Sequence, residues 1–336
     1  MAKKQVTLSD IAGICGTSTV TVSKALSGKE GVSDELRKKI KHVACEMGYV
    51  APSKAANSEY HGNIGVIIPE KFLSQTGTFY WVLYNRIVQR LKSDNISCIQ
   101  ENIGEEEEAS LIPPNILSNN KITGLISLGQ LRPEYVDMLM KKTNNLVLLD
   151  YYIPGINVDC VISNGISGAY RITKHLIENG HKNIGFIGTR LATSSIFDRF
   201  TGYSRAMLEH DYPIREEWII NDRKNDNMNF GEMDFPSEMP TAFVCNCDET
   251  AFAAIRKLQS MGYSVPDDIS IAGYDNFLIS EMSEPQITTI SVDAKEIADA
   301  AVSMLFDKMN NPYKKPEIRS ISGTLKIKNS IRNINL

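Results

Sequence analysis

No stretch of the 336 residues approaches the roughly 18 consecutive apolar positions that a membrane-spanning helix needs, so nothing in it is expected to cross a bilayer. Cysteine is sparse. Cys15, Cys45, Cys98, Cys160, Cys245 and Cys247 are scattered without a CxxC pair, which argues against a disulfide framework and leaves little for zinc. Enzyme signatures are missing as well: there is no GxxxxGK[ST], no GxGxxG after a strand, no HExxH and no GxSxG. His42, His61, His175, His181 and His210 are expected on polar or helical faces and form no ligand-spaced cluster. No cofactor and no metal are expected. The opening MAKKQVTLSD carries two lysines with no apolar segment behind them, so the reading is of a cytoplasmic chain without a secretory signal.

What remains is an ordinary globular composition, 42% hydrophobic and 23% charged, long enough for two or three domains. The charge is uneven. Residues 1–60 hold 9 lysines and arginines against 6 carboxylates, a balance of +3, which leaves −7 for the rest of a chain whose net charge is −4. A basic head on an acidic body suggests that only the head meets a polyanion.

The head reads as three helices punctuated by caps. Thr7 stands three residues before Asp10, a capping-box start to LSDIAGIC, with Asp10 in place of the usual glutamate. Gly16 supplies the turn, Ser18 is placed to cap a second helix through Leu26, and Gly28 to end it. Ser33 is placed to cap a third helix, DELRKKIKHVACEMG, where Leu36, Ile40, Val43, Ala44 and Met47 share a face and Arg37, Lys38, Lys39 and Lys41 lie off it. Counting from Leu8, a small residue (Ala12) sits at position 5, glycine (Gly16) at 9 and valine (Val22) at 15. That spacing suits a helix-turn-helix, where crossing helices need a small residue, the sharp turn a glycine and the core a branched apolar residue. The outward face of the second helix then holds Thr19, Val20, Ser23 and Lys24, short enough to let the backbone approach DNA, with one lysine able to reach a guanine.

VTLSDIAGICGTSTVTVSKALSGKEGVSDELRKKIKHVACEMGYV resembles the DNA-binding head of the LacI/GalR (lac-repressor) family of transcriptional regulators. The resemblance implies that Thr19, Val20 and Lys24 fall on base-reading positions. Ser18, Thr21 and Ser23 are then candidate phosphate contacts, or simply caps and solvated surface, and Thr7 and Ala55 join the candidate DNA contacts. After Tyr49 the pattern departs. The family continues with a hinge helix ending in a leucine that wedges into the minor groove. Here VAPSKAANSEYHGN puts Glu59 or Ser58 at that place, and neither can unstack a base step. A short helix through Lys54, Ala55 and Ala56, or a plain flexible linker, both fit residues 50–62.

From residue 63 onward apolar runs alternate with helical patterns. The runs are NIGVIIP, ISCI, GLISL, LVLLD, CVI, IGFIG, WII, AFVC and ISIAGYD. FYWVLYNRIVQRLKSD, GAYRITKHLIENG, GYSRAMLEH, ETAFAAIRKLQSMG and AKEIADAAVSMLFDKM read as helices. This rhythm predicts α/β architecture with doubly wound parallel sheets, in which ligands bind beyond the carboxyl ends of strands. EEEE at 105–108 reads as a solvated helix start.

Polar residues stand at those strand ends. Asp150 closes LVLLD, Asp248 follows AFVCNC, Asp275 ends ISIAGYD, and Arg199 opens DRFTGY. Carboxylates and a guanidinium together suit sugar hydroxyls, although each aspartate alone is as well explained by capping the next helix. The body resembles the LacI/GalR effector domain, itself similar to type I periplasmic sugar-binding proteins. The resemblance rests on GHKNIGFIG, DRFTGY, VPDDISIAGYDN and PQITTI. It implies two subdomains, about 62–161 with 291–322 and 162–290 with 323–336. It places Asp150, Arg199 and Asp275 on effector-contacting positions and Phe79 or Tyr80 on the aromatic that packs against the ligand. In CNCDETA this chain has Cys247 where the family often has asparagine, a weaker hydrogen bonder. The expected function is a cytoplasmic transcriptional regulator, a repressor. It would bind operator DNA as a homodimer, since GTLKIKNSIRNINL keeps no heptad for a tetramer, and respond to a small carbohydrate effector. The alternative is a sensor whose DNA head no longer works.

Overall fold

The computed structural model describes residues 6–26, 31–47, 49, 62–73, 78–223 and 231–335. In the head, α1 (Leu8–Cys15), α2 (Thr19–Leu26) and α3 (Asp34–Glu46) form the expected three-helix unit. The capping box is complete: Thr7 Oγ1 accepts from the Asp10 N–H while the Asp10 carboxylate accepts from the Thr7 N–H at 2.8 Å. Gly16 ends α1 at φ +68°, a left-handed turn that glycine adopts without a Cβ penalty. Ser18 Oγ accepts from the Thr21 N–H at 3.1 Å and starts α2. Ile11, Ala12, Cys15, Val22, Ala25, Ile40 and Ala44 make a small core, with Leu36, Val43 and Met47 packed against it.

The body's first sheet is parallel throughout. Its strands run β2 (Cys98–Ile103), β1 (Asn63–Pro69), β3 (Ile122–Leu128), β4 (Leu146–Leu149), β5 (Asp159–Ser163) and β11 (Ile318–Ile321) across the sheet. Helices α4 (Thr78–Ser93), α5 (Glu105–Ala109) and α6 (Pro133–Lys142) connect β1 to β4. The sheet is completed by a strand from far along the sequence, β11, which pairs with β5.

The second sheet is parallel in the order β7 (Ile219–Ile220), β6 (Ile184–Ile187), β8 (Ala242–Cys245), β9 (Ser270–Ala272). Helices α7 (Gly165–Glu178), α8 (Ser194–Glu209) and α9 (Asp248–Ser260) accompany it, with the short α10 (Leu278–Met282) beyond β9. Strand β10 (Thr289–Ser291) pairs antiparallel with β12 (Thr324–Lys326), and α11 (Ala294–Asn310) lies between them in sequence. The tail then runs beside β9: the Ile271 N–H donates to Ser330 O and the Arg332 N–H to Ser270 Oγ.

Several elements depart from the sequence reading. The short strands β10, β11 and β12 and the helix α10 had no clear sequence pattern, and the start signal of α6, Pro133 followed by Glu134, went unread. EEEE does start a helix, with Glu105 and Glu106 exposed as expected, but its last glutamate is not solvated. Glu108 is buried, paired with Lys71 Nζ at 3.1 Å and accepting the Arg132 N–H at 2.6 Å. His181 is also buried rather than on a polar face, bonded to Thr241 Oγ1 and Arg332 O. Arg37, expected off the apolar face of α3, turns to α2. Its Nη1 donates to the carbonyls of Lys24 and Ala25 at 3.4 and 3.3 Å. The hinge expectations on Lys54, Ala55, Ala56, Ser58 and Glu59, and Gly28 as a helix end, lie outside the described residues.

Candidate functional site

Two surfaces bring the expected residues together. On α2, Ser18, Thr19, Val20, Ser23 and Lys24 are exposed while Val22 and Ala25 are buried; Thr21 is half-buried. Val20 is 62% exposed, an apolar side chain turned outward on a helix whose opposite face supplies the core. Thr7 is exposed, but its hydroxyl and N–H serve the capping box. Ser18 likewise has its oxygen engaged at the start of α2.

The second surface lies at the carboxyl ends of the two body sheets. Asp150 follows β4 at φ +70°, a left-handed conformation that aspartate tolerates better than most residues. One of its oxygens accepts from the Tyr80 hydroxyl at 3.2 Å; the other, Oδ1, is buried with no hydrogen-bond partner among the described residues. Arg199 stands on α8, where Gly202 permits close packing: a Cβ there would run into the carbonyl of Ile166 on α7. Its Nη2 donates to Asp275 Oδ1 at 3.1 Å, Nη1 donates to Asn246 O, its guanidinium lies 4.0 Å from the Tyr274 ring centroid, and Nε has no hydrogen-bond partner among the described residues. Asp275 follows β9 at φ +107° and Asn276 at +59°. Phe79 meets Phe277 edge-on at 5.3 Å, and Tyr80 packs on Phe72 at 4.7 Å, giving the cleft an aromatic wall contributed by both sheets' flanks.

The electrostatics follow from burial. Desolvation pushes the Asp150 carboxyl up to about 6, against the pull of Arg199 and the Tyr80 hydrogen bond. Burial would lower Arg199, but Asp275, Tyr274 and Asp150 outweigh it, so the guanidinium stays charged. Burial, with the nearby Asp248 and Asp150 carboxylates, raises Asp275 against the attraction of Arg199. One guanidinium faces an excess of carboxylate, a site that welcomes hydroxyl donors.

Two expectations change in detail. Asp248 is corrected as a cleft contact: it is fully buried, Oδ1 accepting from Thr289 Oγ1 at 2.7 Å and Oδ2 from the Phe277 N–H at 2.9 Å. Cys247 caps α9, its Sγ accepting from the Thr250 N–H at 3.4 Å, and burial raises its thiol to about 12. Sequence reasoning missed Asp222, a fully buried carboxylate that accepts from Thr189, Asn246 and Thr250 and ties together the ends of β6, β7 and β8. Its position just after the apolar WII run was the available signal. Among the described residues no cluster of His, Cys, Asp and Glu could hold a metal.

Comparison with known proteins agrees with this two-part organisation. Residues 7–52 match the family of bacterial regulatory proteins, lacI family, and residues 173–331 match a periplasmic binding protein-like domain. The chain is 27% identical over 338 residues to the HTH-type transcriptional repressor PurR of Actinobacillus pleuropneumoniae, covering 98% of this chain and 99% of that one. It is 26% identical over 334 residues to the ribose operon repressor of Haemophilus influenzae, again covering 98% and 99%. In fold it resembles the transcriptional regulator CelR in complex with cellobiose, with a TM-score of 0.68 at 21% identity, covering 97% of this chain and 100% of that one. It also resembles the lac repressor dimer bound to operator and the anti-inducer ONPF, with a TM-score of 0.67 at 20% identity, covering 98% and 100%.

Proposed function

Because the chain belongs to the LacI family of bacterial regulatory proteins, we propose that it is a cytoplasmic repressor that releases or grips its operator according to a small sugar-like effector bound between the two halves of the body. In this reading Thr19, Val20 and Lys24 read base edges, Ser18, Thr21 and Ser23 meet phosphates, and Thr7 holds the start of α1. Tyr80, Asp150, Arg199 and Asp275 hold the effector, and Phe79 packs against it. Binding orients the ligand and no chemical step is assigned to the chain.

One observation carries the effector half of this reading. A buried acceptor, Asp150 Oδ1, and a buried donor, Arg199 Nε, stand in the same cleft without hydrogen-bond partners among the described residues. A hydroxyl both donates and accepts, so a polyol satisfies both groups at once, while leaving them unpaired is unfavourable. The relatives' names support the same class: they are repressors, and a solved structural neighbour carries cellobiose.

The experiment is gel retardation of a labelled fragment of the protein's own promoter against random DNA, at fixed salt. A specific regulator should prefer its own site by at least about a thousandfold, and a sugar panel should change that retardation. Equal retardation of both fragments would leave only a sensor with a non-specific head.

A further inference from the structure

Asp248 occupies the first position of α9, where a carboxylate would ordinarily be explained by the helix dipole. Its geometry says more. The cap of α9 is made by Cys247 Sγ, and both Asp248 oxygens reach away from their own helix. The Asp248 N–H donates to Tyr274 O at 2.8 Å, while Oδ2 accepts from the Phe277 N–H. One residue therefore brackets the turn 274–277 from both ends. Inside that bracket lie two non-glycine residues at positive φ, Asp275 and Asn276, a conformation that persists only where its surroundings hold it. Oδ1 is fixed in turn by Thr289, and Gly273 leaves the space, since a Cβ there would strike Oδ1. On the far side of the turn, Lys328 Nζ fastens α10 through Ser280 Oγ at 2.8 Å and Glu281 at 2.7 Å.

We propose that Asp248, seated on Thr289, is a positioning residue that sets the turn carrying Asp275 and Phe277, without itself touching the effector. It thereby aims the Asp275 carboxylate at Arg199 and places the Phe277 ring against Phe79 on the other half of the cleft. The importance of the turn for ligand binding rests on the cleft reading above; the bracketing of the turn does not.

The test is hydrogen exchange on the full-length, ligand-free protein, read on peptides covering residues 273–282. In Asp248→Asn the amide oxygen still accepts from the Phe277 N–H, and the amide nitrogen donates to Thr289 Oγ1, so exchange should stay within about twofold of the parent. In Asp248→Ala both bonds go, and exchange of this segment should rise by about tenfold with β1 and the head unchanged. Thr289→Val removes the seat and also the bond that its Oγ1 accepts from the Asn276 N–H at 3.4 Å, so it should raise the same segment's exchange alone and, by a smaller factor, in the Asp248→Ala background. An Asn variant that exchanges like the Ala variant overturns the proposal. So does an Ala variant that leaves the turn unchanged, or one that loosens the whole body uniformly. If Asp248→Ala does not fold, the Asn and Val variants decide alone: a Val variant without a local effect overturns it. No ligand enters this measurement. Failure of the cleft reading would show separately, as sugars that bind Arg199→Ala and the parent alike.

Discussion

Arg199 and Asp275 face each other at 3.1 Å, their side chains 6% and 7% exposed. A buried pair of this kind adds little net stability over an apolar pair. Removing one partner is costly, about 3–5 kcal/mol, because the other is left as an uncompensated buried charge. Arg199→Ala should therefore lower the thermal midpoint as well as abolish the effector response, while Asp275→Asn should abolish the response with a smaller thermal loss. Both should leave operator retardation intact at a temperature where the fold persists. A collapsed thermal transition in both variants would mean that the pair is structural and nothing more.

Asp150 gives the molecule opposing pH trends. Burial raises its folded-state value from 3.8 to about 6. A carboxyl raised in this way contributes stability that is fully present below about pH 4 and is lost as pH rises through 6. The loss amounts to at most about 3 kcal/mol by the value of one pH unit per protonation. Effector affinity should move the other way, rising through pH 6 as the carboxylate becomes a full acceptor. In Asp150→Asn both slopes should flatten. Thermal midpoints of parent and variant from pH 4.5 to 8 that run parallel would refute the assignment.

What was legible in the sequence was local. The Thr7–Asp10 box, the Gly16 turn and the Ser18 cap all lie within four residues of their partners, and α1 and α2 fall where those signals put them. The strand β1 was equally plain, a continuous apolar run flanked by polar residues. What escaped was set by distant partners. Glu108 is buried because Lys71 comes to meet it, 37 residues away, and Asp248 turns inward because Thr289 and Phe277 do the same. Strands of three or four residues such as β10 and β12 carry too little pattern to be read alone, being defined by each other. Helix α6 was a different kind of miss: Pro133 at its first turn followed by Glu134 is a start signal the sequence did contain.

Lys24 is the long cation among the exposed side chains of α2. Lys24→Ala should weaken operator binding by about 1–3 kcal/mol, the value of one good base contact, and spare binding to random DNA. Competition retardation with both fragments measures the difference directly. An equal loss on both would make Lys24 a phosphate contact, with base reading left to Thr19 and Val20.

Arg37 acts on the same helix from behind. Its bonds to the Lys24 and Ala25 carbonyls satisfy groups that the last turn of α2 cannot satisfy internally. Arg37→Lys keeps the charge but loses the planar fork, so the salt dependence of non-specific binding should persist. Specific binding should fall by about 0.5–1.5 kcal/mol, one ordinary hydrogen bond, as the recognition helix frays. A variant whose salt slope drops while its specificity ratio holds would show Arg37 to be a DNA contact instead.

The last prediction concerns assembly. One helix-turn-helix head contacts a short half-site, and two heads related by a two-fold axis read a pseudo-palindrome. The described carboxyl-terminal residues pack on the body. Leu325 and Ile331 pack against the second core, the Ile334 N–H donates to Asn179 O, and Arg332 O meets His181. The free protein should therefore sediment as a homodimer. Its operator should be kinked less than is usual for the family, since neither Ser58 nor Glu59 offers an apolar wedge to unstack a base step. With little kinking to reverse, the effector must act through the spacing of the heads, a coupling of about 1–3 kcal/mol. Sedimentation equilibrium giving a monomer or tetramer would refute the first statement. Circular-permutation retardation showing a sharp bend would refute the second, and would mean that residues 50–62 bend DNA without a leucine.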